Sequence, residues 1–169
     1  MNAAHVHLMV NHLPLFAALF GAALLLFGVV RGQEVVTRIG LVLAVLAGVG
    51  AFAAARSGEG AEEIVEEYAG VSESAIHDHE EAGEAAQWAS LLLGVLALTA
   101  LVVPAQRVSL KKAATYGSVL MSLVAFGLIA RAANLGGEIR HPEISGAAPS
   151  ADVEEEHGSE EEHGDEDDA

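Results

Sequence analysis

Residues 5–16 read His-Val-His-Leu-Met-Val-Asn-His-Leu-Pro-Leu-Phe and carry three histidines into a long apolar run. Residues 13–30 continue without a charge, which is most of the length that a helix needs to cross a bilayer. Pro14 lacks a backbone N–H and would clash with the carbonyl group of Val10. The helix therefore either begins near His12, with Pro14 in its first turn, or begins earlier and is kinked. Both alternatives put His12 at the membrane entry.

Three further uncharged runs follow, at residues 39–55, 85–103 and 113–130. The chain of 169 residues is 52% hydrophobic, with a mean hydropathy of +0.40, and an average soluble domain is less apolar. The sequence predicts an all-α integral membrane four-helix bundle in one domain, residues 1–145, in contact with the lipid bilayer. The predicted spans lie at about 8–30, 36–56, 85–103 and 113–133.

The polar segments between and after the spans predict the remaining architecture. Residues 57–84 form an outer polar segment, in which a short interfacial helix should end at Gly70. Ser72 is a suitable N-cap for a long third helix that Pro104 ends. Gly136-Gly137 should break the fourth helix after about residue 134. Residues 146–169 have the polar composition of a disordered acidic tail.

Charge and motif content exclude several functional classes. The formal net charge is −16, and residues 152–169 alone hold 11 acidic and no basic side chains. Such a protein is a poor partner for nucleic acid, which is bound through Lys and Arg. Cysteine is absent, which excludes disulfides, thiolate nucleophiles and iron–sulfur clusters. No P-loop, G-x-S-x-G or His-Glu-x-x-His motif is present, so we predict a protein that is not an enzyme.

The distribution of basic residues predicts the orientation. One pair of loops carries Arg31, Arg38, Arg107, Lys111 and Lys112, and the opposite side carries Arg56, Arg131 and Arg140. The positive-inside rule then places both short loops in the cytoplasm and both termini outside. In a four-span chain the segments 1–12, 57–84 and 134–169 share a side in either orientation. All eight histidines lie in these three segments.

Imidazole and carboxylate groups that share one face could bind a divalent transition metal. The candidate ligands are His5, His12, His77, His79, Glu81 and His141. Alternatively, one haem b could be held by two histidines that face each other across the bundle. For that pair we predict His12 and His79, which lie at a similar depth. A third interpretation is that the histidines only form hydrogen bonds with helix ends and acidic groups.

Several local motifs occur together in this chain. They are Val-Asn-His-Leu-Pro at 10–14, Ser-Gly-Glu-Gly-Ala-Glu-Glu at 57–63, Gly-Val-Ser-Glu at 70–73, His-Glu-Glu-Ala at 79–82, and Asn-Leu-Gly-Gly-Glu-Ile-Arg-His-Pro-Glu at 134–143. The combination resembles an uncharacterised family of bacterial four-helix membrane proteins, over roughly residues 3–145. The resemblance implies a bacterial cytoplasmic membrane and no particular activity. From the chemistry of the residues alone, we expect a metal- or haem-binding accessory subunit of a respiratory or transport complex, or else a scaffold subunit without a ligand.

Overall fold

The computed structural model describes residues 2–68 and 71–141, and these residues form helices joined by short turns. The helices are α1 (Ala3–Val10), α2 (His12–Arg31), α3 (Glu34–Val65), α4 (Glu73–Val102) and α5 (Val108–Glu138). The first two are nearly continuous. Four helical stretches are long and apolar enough to cross a membrane, namely Ala3–Arg31, Glu34–Val65, Glu73–Val102 and Val108–Glu138. The all-α, four-helix membrane fold is thus confirmed, whereas the predicted tail lies outside the described residues.

The four long helices pack in a ring. In this ring α2 contacts α3 and α5, and α4 contacts α3 and α5, while α1 lies against α3. Short connections make successive helices antiparallel. Gly32 has a φ of 63° and ends α2, which allows the chain to enter α3 two residues later. We call the end with the 32–33 and 103–107 turns the loop end. The opposite end, which carries α1, is the histidine end.

Small side chains fill the core of the bundle, as is typical of membrane helices that approach closely. The fully buried positions include Ala18, Ala44, Ala47, Ala97, Ala125, Leu25, Leu93, Ser90 and Ser118. At Gly48 a Cβ atom would lie 2.8 Å from the backbone oxygen of Ser90 and 3.3 Å from the Cα of Gly94. Helices α3 and α4 therefore touch through their backbones at this level.

Two predicted helix ends are wrong, and both errors involve glycine. Helix α3 does not stop near residue 56 but continues through Gly58 and Gly60 to Val65, in place of a separate interfacial helix. Helix α5 likewise continues through Gly136 and Gly137 to Glu138. Intrinsic propensity disfavours glycine inside a helix by about 1 kcal/mol, which tertiary contacts can outweigh. By contrast, the predicted long third helix is confirmed as α4.

The first span combines the two predicted alternatives, a helix that begins before Pro14 and a helix that has Pro14 in its first turn. The chain is already helical from Ala3, and the helix is interrupted at Asn11, which keeps α-helical backbone angles. Pro14 is then the third residue of α2, where the missing N–H group costs little. Because Asn11 stays helical, residues 7, 11, 14 and 18 follow one face of the combined helix.

Candidate functional site

Two histidines meet at the histidine end, one from α1 and one from α4. The ring centroids of His7 and His79 lie 6.3 Å apart, and the ring planes cross at 81°. His7 Nδ1 is 3.0 Å from the backbone oxygen of Ala54 on α3, and His79 Nδ1 is 2.8 Å from that of Ala132 on α5. The pair therefore joins four helices. We refer to His7 and His79 as the histidine pair.

The carbonyl partners determine which ring nitrogens carry protons. A carbonyl oxygen only accepts hydrogen bonds, so Nδ1 of His7 and Nδ1 of His79 must each be the N–H donor. In the neutral imidazole this leaves Nε2 with a free lone pair. Ser57 reinforces the arrangement, since its hydroxyl group donates to Ala54 O at 2.9 Å and its Oγ lies 3.2 Å from His7 Nδ1. Metal-ligating histidines are usually oriented by a hydrogen bond of this kind, from the other ring N–H to a carboxylate, a carbonyl group or water.

Each ring of the histidine pair packs against a glycine in the neighbouring helix. A Cβ atom at Gly136 would lie 2.9 Å from Cε1 of His79, and one at Gly58 would lie 3.4 Å from Cε1 of His7. These are the glycines that sequence propensity treats as helix breakers. Gly136 leaves room for the His79 ring, whereas a methyl group at Gly58 would meet His7 at an ordinary van der Waals distance.

His12, the histidine favoured by the sequence, does not face His79. It is exposed, and its Nδ1 lies 2.8 Å from the oxygen of Leu8 in the preceding turn. Its ring stacks on Phe16, which stacks on Phe20 one turn further, and both phenylalanines are about half exposed. Because 12, 16 and 20 follow the outer face of the helix, the structure pairs His79 with His7 instead.

The other candidate ligands lie on the surface of the protein. His5, His77, Glu81 and His141 are all exposed, with His141 directly after α5. Within residues 2–68 and 71–141, no three His, Asp or Glu side chains are grouped so that they could hold a metal ion. The predicted metal set of His5, His12, His77, His79, Glu81 and His141 therefore does not assemble in the described part of the chain.

Acidic side chains link α3 and α4 near the histidine pair, beyond the apolar run of α3. A hydrogen bond with Glu80 raises the pKa of the Glu62 carboxyl group, and partial burial and the Glu80 charge act in the same direction. Arg56 pairs with Glu59 at 2.9 Å, but both side chains are well exposed, so this ion pair adds little stability. Arg140 lies over the Tyr68 ring at 5.2 Å and brings the end of α5 close to the end of α3.

One buried polar atom near the histidine pair lacks a hydrogen-bond partner. Asn11 Oδ1 is the single such side-chain atom among the residues that the structure describes. Asn11 follows His7 by one helical turn and lies on the same face. A buried acceptor without a donor is costly, by about 1–3 kcal/mol, unless a water or ligand supplies the donor.

The sequence contained a signal for His7 that was not used. Residues 7, 11, 14 and 18 have the spacing of one helical face, and Pro14 and Ala18 are buried. The sequence prediction favoured the face of His5 and His12, to which His7 does not belong. No protein-family model, no curated protein and no solved structure matches this chain, so the assignment of a function rests on the site itself.

Proposed function

We propose that the protein is a membrane protein that binds one haem b through Nε2 of His7 and Nε2 of His79, as an accessory subunit of a respiratory or transport complex. The observation that carries the proposal is the pair of Nδ1–carbonyl hydrogen bonds. They hold two imidazoles in the same tautomer, in which each Nε2 carries the lone pair that a metal ligand needs.

The distance within the pair would allow both histidines to hold the same haem iron. The observed centroid distance is 6.3 Å. A bare metal ion would need more protein ligands than these two histidines, whereas haem brings four nitrogen ligands of its own.

The surroundings of the pair offer small side chains and one unused acceptor. Gly58 and Gly136 line the rings, and the space beside Gly83, one turn along α4 from His79, is open. Asn11 Oδ1 could accept a hydrogen bond from a water molecule bound beside the pair. The pair lies at one end of the bundle, and no histidine occurs between residues 12 and 77 or between 79 and 141. A haem here would exchange electrons with a partner on that side rather than across the bilayer.

The test is an absorption spectrum of the detergent-purified full chain, expressed with sufficient haem, together with metal analysis. We expect a Soret band that His7→Ala and His79→Ala abolish, and that His5→Ala and His12→Ala leave in place because both side chains are exposed. Circular dichroism confirms that each variant is still helical. Added imidazole should restore the band in a folded His7→Gly variant. Wild-type protein without a Soret band, or a band lost only with His12→Ala, would overturn the proposal.

A second candidate function is that of a scaffold subunit without a ligand. The same hydrogen bonds favour it, because His7 tethers α1 to α3 and His79 tethers α4 to α5. In that case the purified protein carries neither haem nor stoichiometric metal. Replacement of either histidine would then lower the thermal stability of the bundle and leave no spectral change to observe.

A further inference from the structure

A groove opens toward the loop end of the bundle between α3 and α4. Its volume is about 400 Å³. The apolar walls come mostly from one face of α3, with Leu101 of α4 on the other side. The lining residues are Val35, Arg38, Ile39, Val42, Leu43 and Leu101. Arg38 is the one charged side chain in this lining.

The guanidinium group of Arg38 is exposed and has no acidic partner. Within residues 2–68 and 71–141, the only ion pair joins Arg56 to Glu59, near the other end of α3. Glu34 lies one turn before Arg38 but does not pair with it. A cation at the edge of an apolar groove, with no carboxylate in contact, is available to an anionic group.

The neighbouring loop end has the same charge. The turns and helix starts there carry four more basic residues, Arg31, Arg107, Lys111 and Lys112, against the single acidic residue Glu34. Basic pockets between transmembrane helices recognise the headgroups of anionic lipids. Arg in particular forms two parallel hydrogen bonds with a phosphate group.

We propose that this groove binds one anionic phospholipid, with an acyl chain along Ile39, Val42 and Leu101 and the phosphate group on Arg38. The apolar walls favour a lipid over free phosphate, which would contact only the guanidinium group. The unpaired cation favours an anionic headgroup over a zwitterionic one. The site is separate from the histidine pair and does not depend on haem binding.

The test compares phosphatidylglycerol with phosphatidylcholine in native mass spectrometry of the full chain released from detergent micelles. We expect the wild-type protein to retain phosphatidylglycerol preferentially. Arg38→Gln should weaken this retention about tenfold, as expected for loss of a charge-assisted contact. The control is Arg131→Gln, which removes an exposed arginine at the histidine end and should have no effect.

A second pair of variants tests the groove itself. Leu101→Trp fills the groove and should reduce retention of phosphatidylglycerol while Arg38 is intact. Val95→Trp adds the same side chain to α4 at a position that is 62% exposed and outside the groove. This variant should not reduce retention of phosphatidylglycerol. Equal retention of the two lipids, or equal losses for Arg38→Gln and Arg131→Gln, would overturn the proposal. An equal effect of the two tryptophans would do so as well.

Discussion

The two ends of the bundle are held together in different ways. At the histidine end, side chains reach across to backbone groups, as His7 does to Ala54 and His79 to Ala132. At the loop end, α2 and α3 approach so closely that a Cβ at Gly28 would lie 2.6 Å from the backbone nitrogen of Thr37. Side-chain contacts can rearrange when a neighbour changes, whereas a backbone contact cannot without moving a helix.

This difference separates adaptable from fixed parts of the molecule. The histidine pair could exchange a contact for a ligand while α3 and α5 stay in place, because only ring positions need to change. The α2–α3 contact at the loop end has no such freedom. The groove beside Arg38 lies on the next interface, between α3 and α4, and so adjoins a rigid hairpin. Four experiments test this contrast, beginning with the largest expected effect.

The first experiment tests whether the two ends lie on opposite sides of a membrane. The chain contains no cysteine, so single Gln33→Cys, Gln106→Cys and Glu67→Cys variants each introduce one thiol at an exposed position. In sealed vesicles of one orientation, an impermeant maleimide should label either the Gln33→Cys and Gln106→Cys variants or the Glu67→Cys variant. The effect should be all or none. Labelling of all three from one side would contradict the four-span topology.

Gly28→Ala should destabilise the bundle strongly. The new methyl group meets the backbone nitrogen and the Oγ1 atom of Thr37, both 2.6 Å away, so α2 and α3 must separate. Overpacking of this kind costs about 1–3 kcal/mol. The measurement is the free energy of unfolding in mixed micelles. Gly127→Ala is the matched control, because nothing lies within 4 Å of its Cβ. Equal stability of the two variants would show that α2 and α3 can separate at the loop end without loss of stability.

Gly136→Ala should have a smaller effect on stability and a larger one on the histidine pair. The methyl group meets Cε1 of His79 at 2.9 Å, and the ring can rotate away at the cost of its bond with Ala132. Loss of that hydrogen bond lowers the free energy of unfolding by about 1 kcal/mol. The Soret band, if haem is bound, should shift or weaken. A variant identical to Gly127→Ala in both measurements would argue against the packing described here.

Ser57→Ala should produce the smallest change. The substitution removes the hydroxyl bond with Ala54 O and the contact with His7 Nδ1, while the His7–Ala54 bond remains. We expect a loss of about 0.5–1 kcal/mol in the free energy of unfolding, and weaker haem retention if haem is bound. Thr99→Ala is the control, because its hydroxyl group bonds only to its own helix. A larger loss in the control would contradict this role of Ser57.

Two features could be predicted from the uncharged runs of the sequence. They are the four spans and the location of the histidine-containing segments at one end of the bundle. Runs such as 39–55 and 85–103 are long and apolar enough to span a membrane, and alternation of four spans predicts that segments 1–12 and 57–84 share a side. The ends of α3 and α5 could not be predicted in the same way. Histidines from other helices contact Gly58 and Gly136, and such contacts are not visible in local sequence.

The inward position of His7 depends on the backbone at Asn11. With Asn11 in the α-helical region, α1 and α2 keep a common face, and His7 points toward the bundle. His12 lies on the exposed face of α2, where its ring stacks on Phe16. The groove beside Arg38 could not be predicted from the sequence either, because it depends on how far α3 and α4 separate at one end. Spacing along a single helix carries no information about that separation.

The alanine- and glycine-rich core has a consequence for how this protein can vary. Alanine and glycine lose almost no side-chain freedom on burial, so the closeness of the helices is set by the backbone. Little can be removed at its alanines, because residues such as Ala44 and Ala97 have only one methyl group to lose. Adding atoms at these positions pushes helices apart. We therefore expect natural variants to change freely on the lipid-facing surface and to keep alanine or glycine at these inner positions.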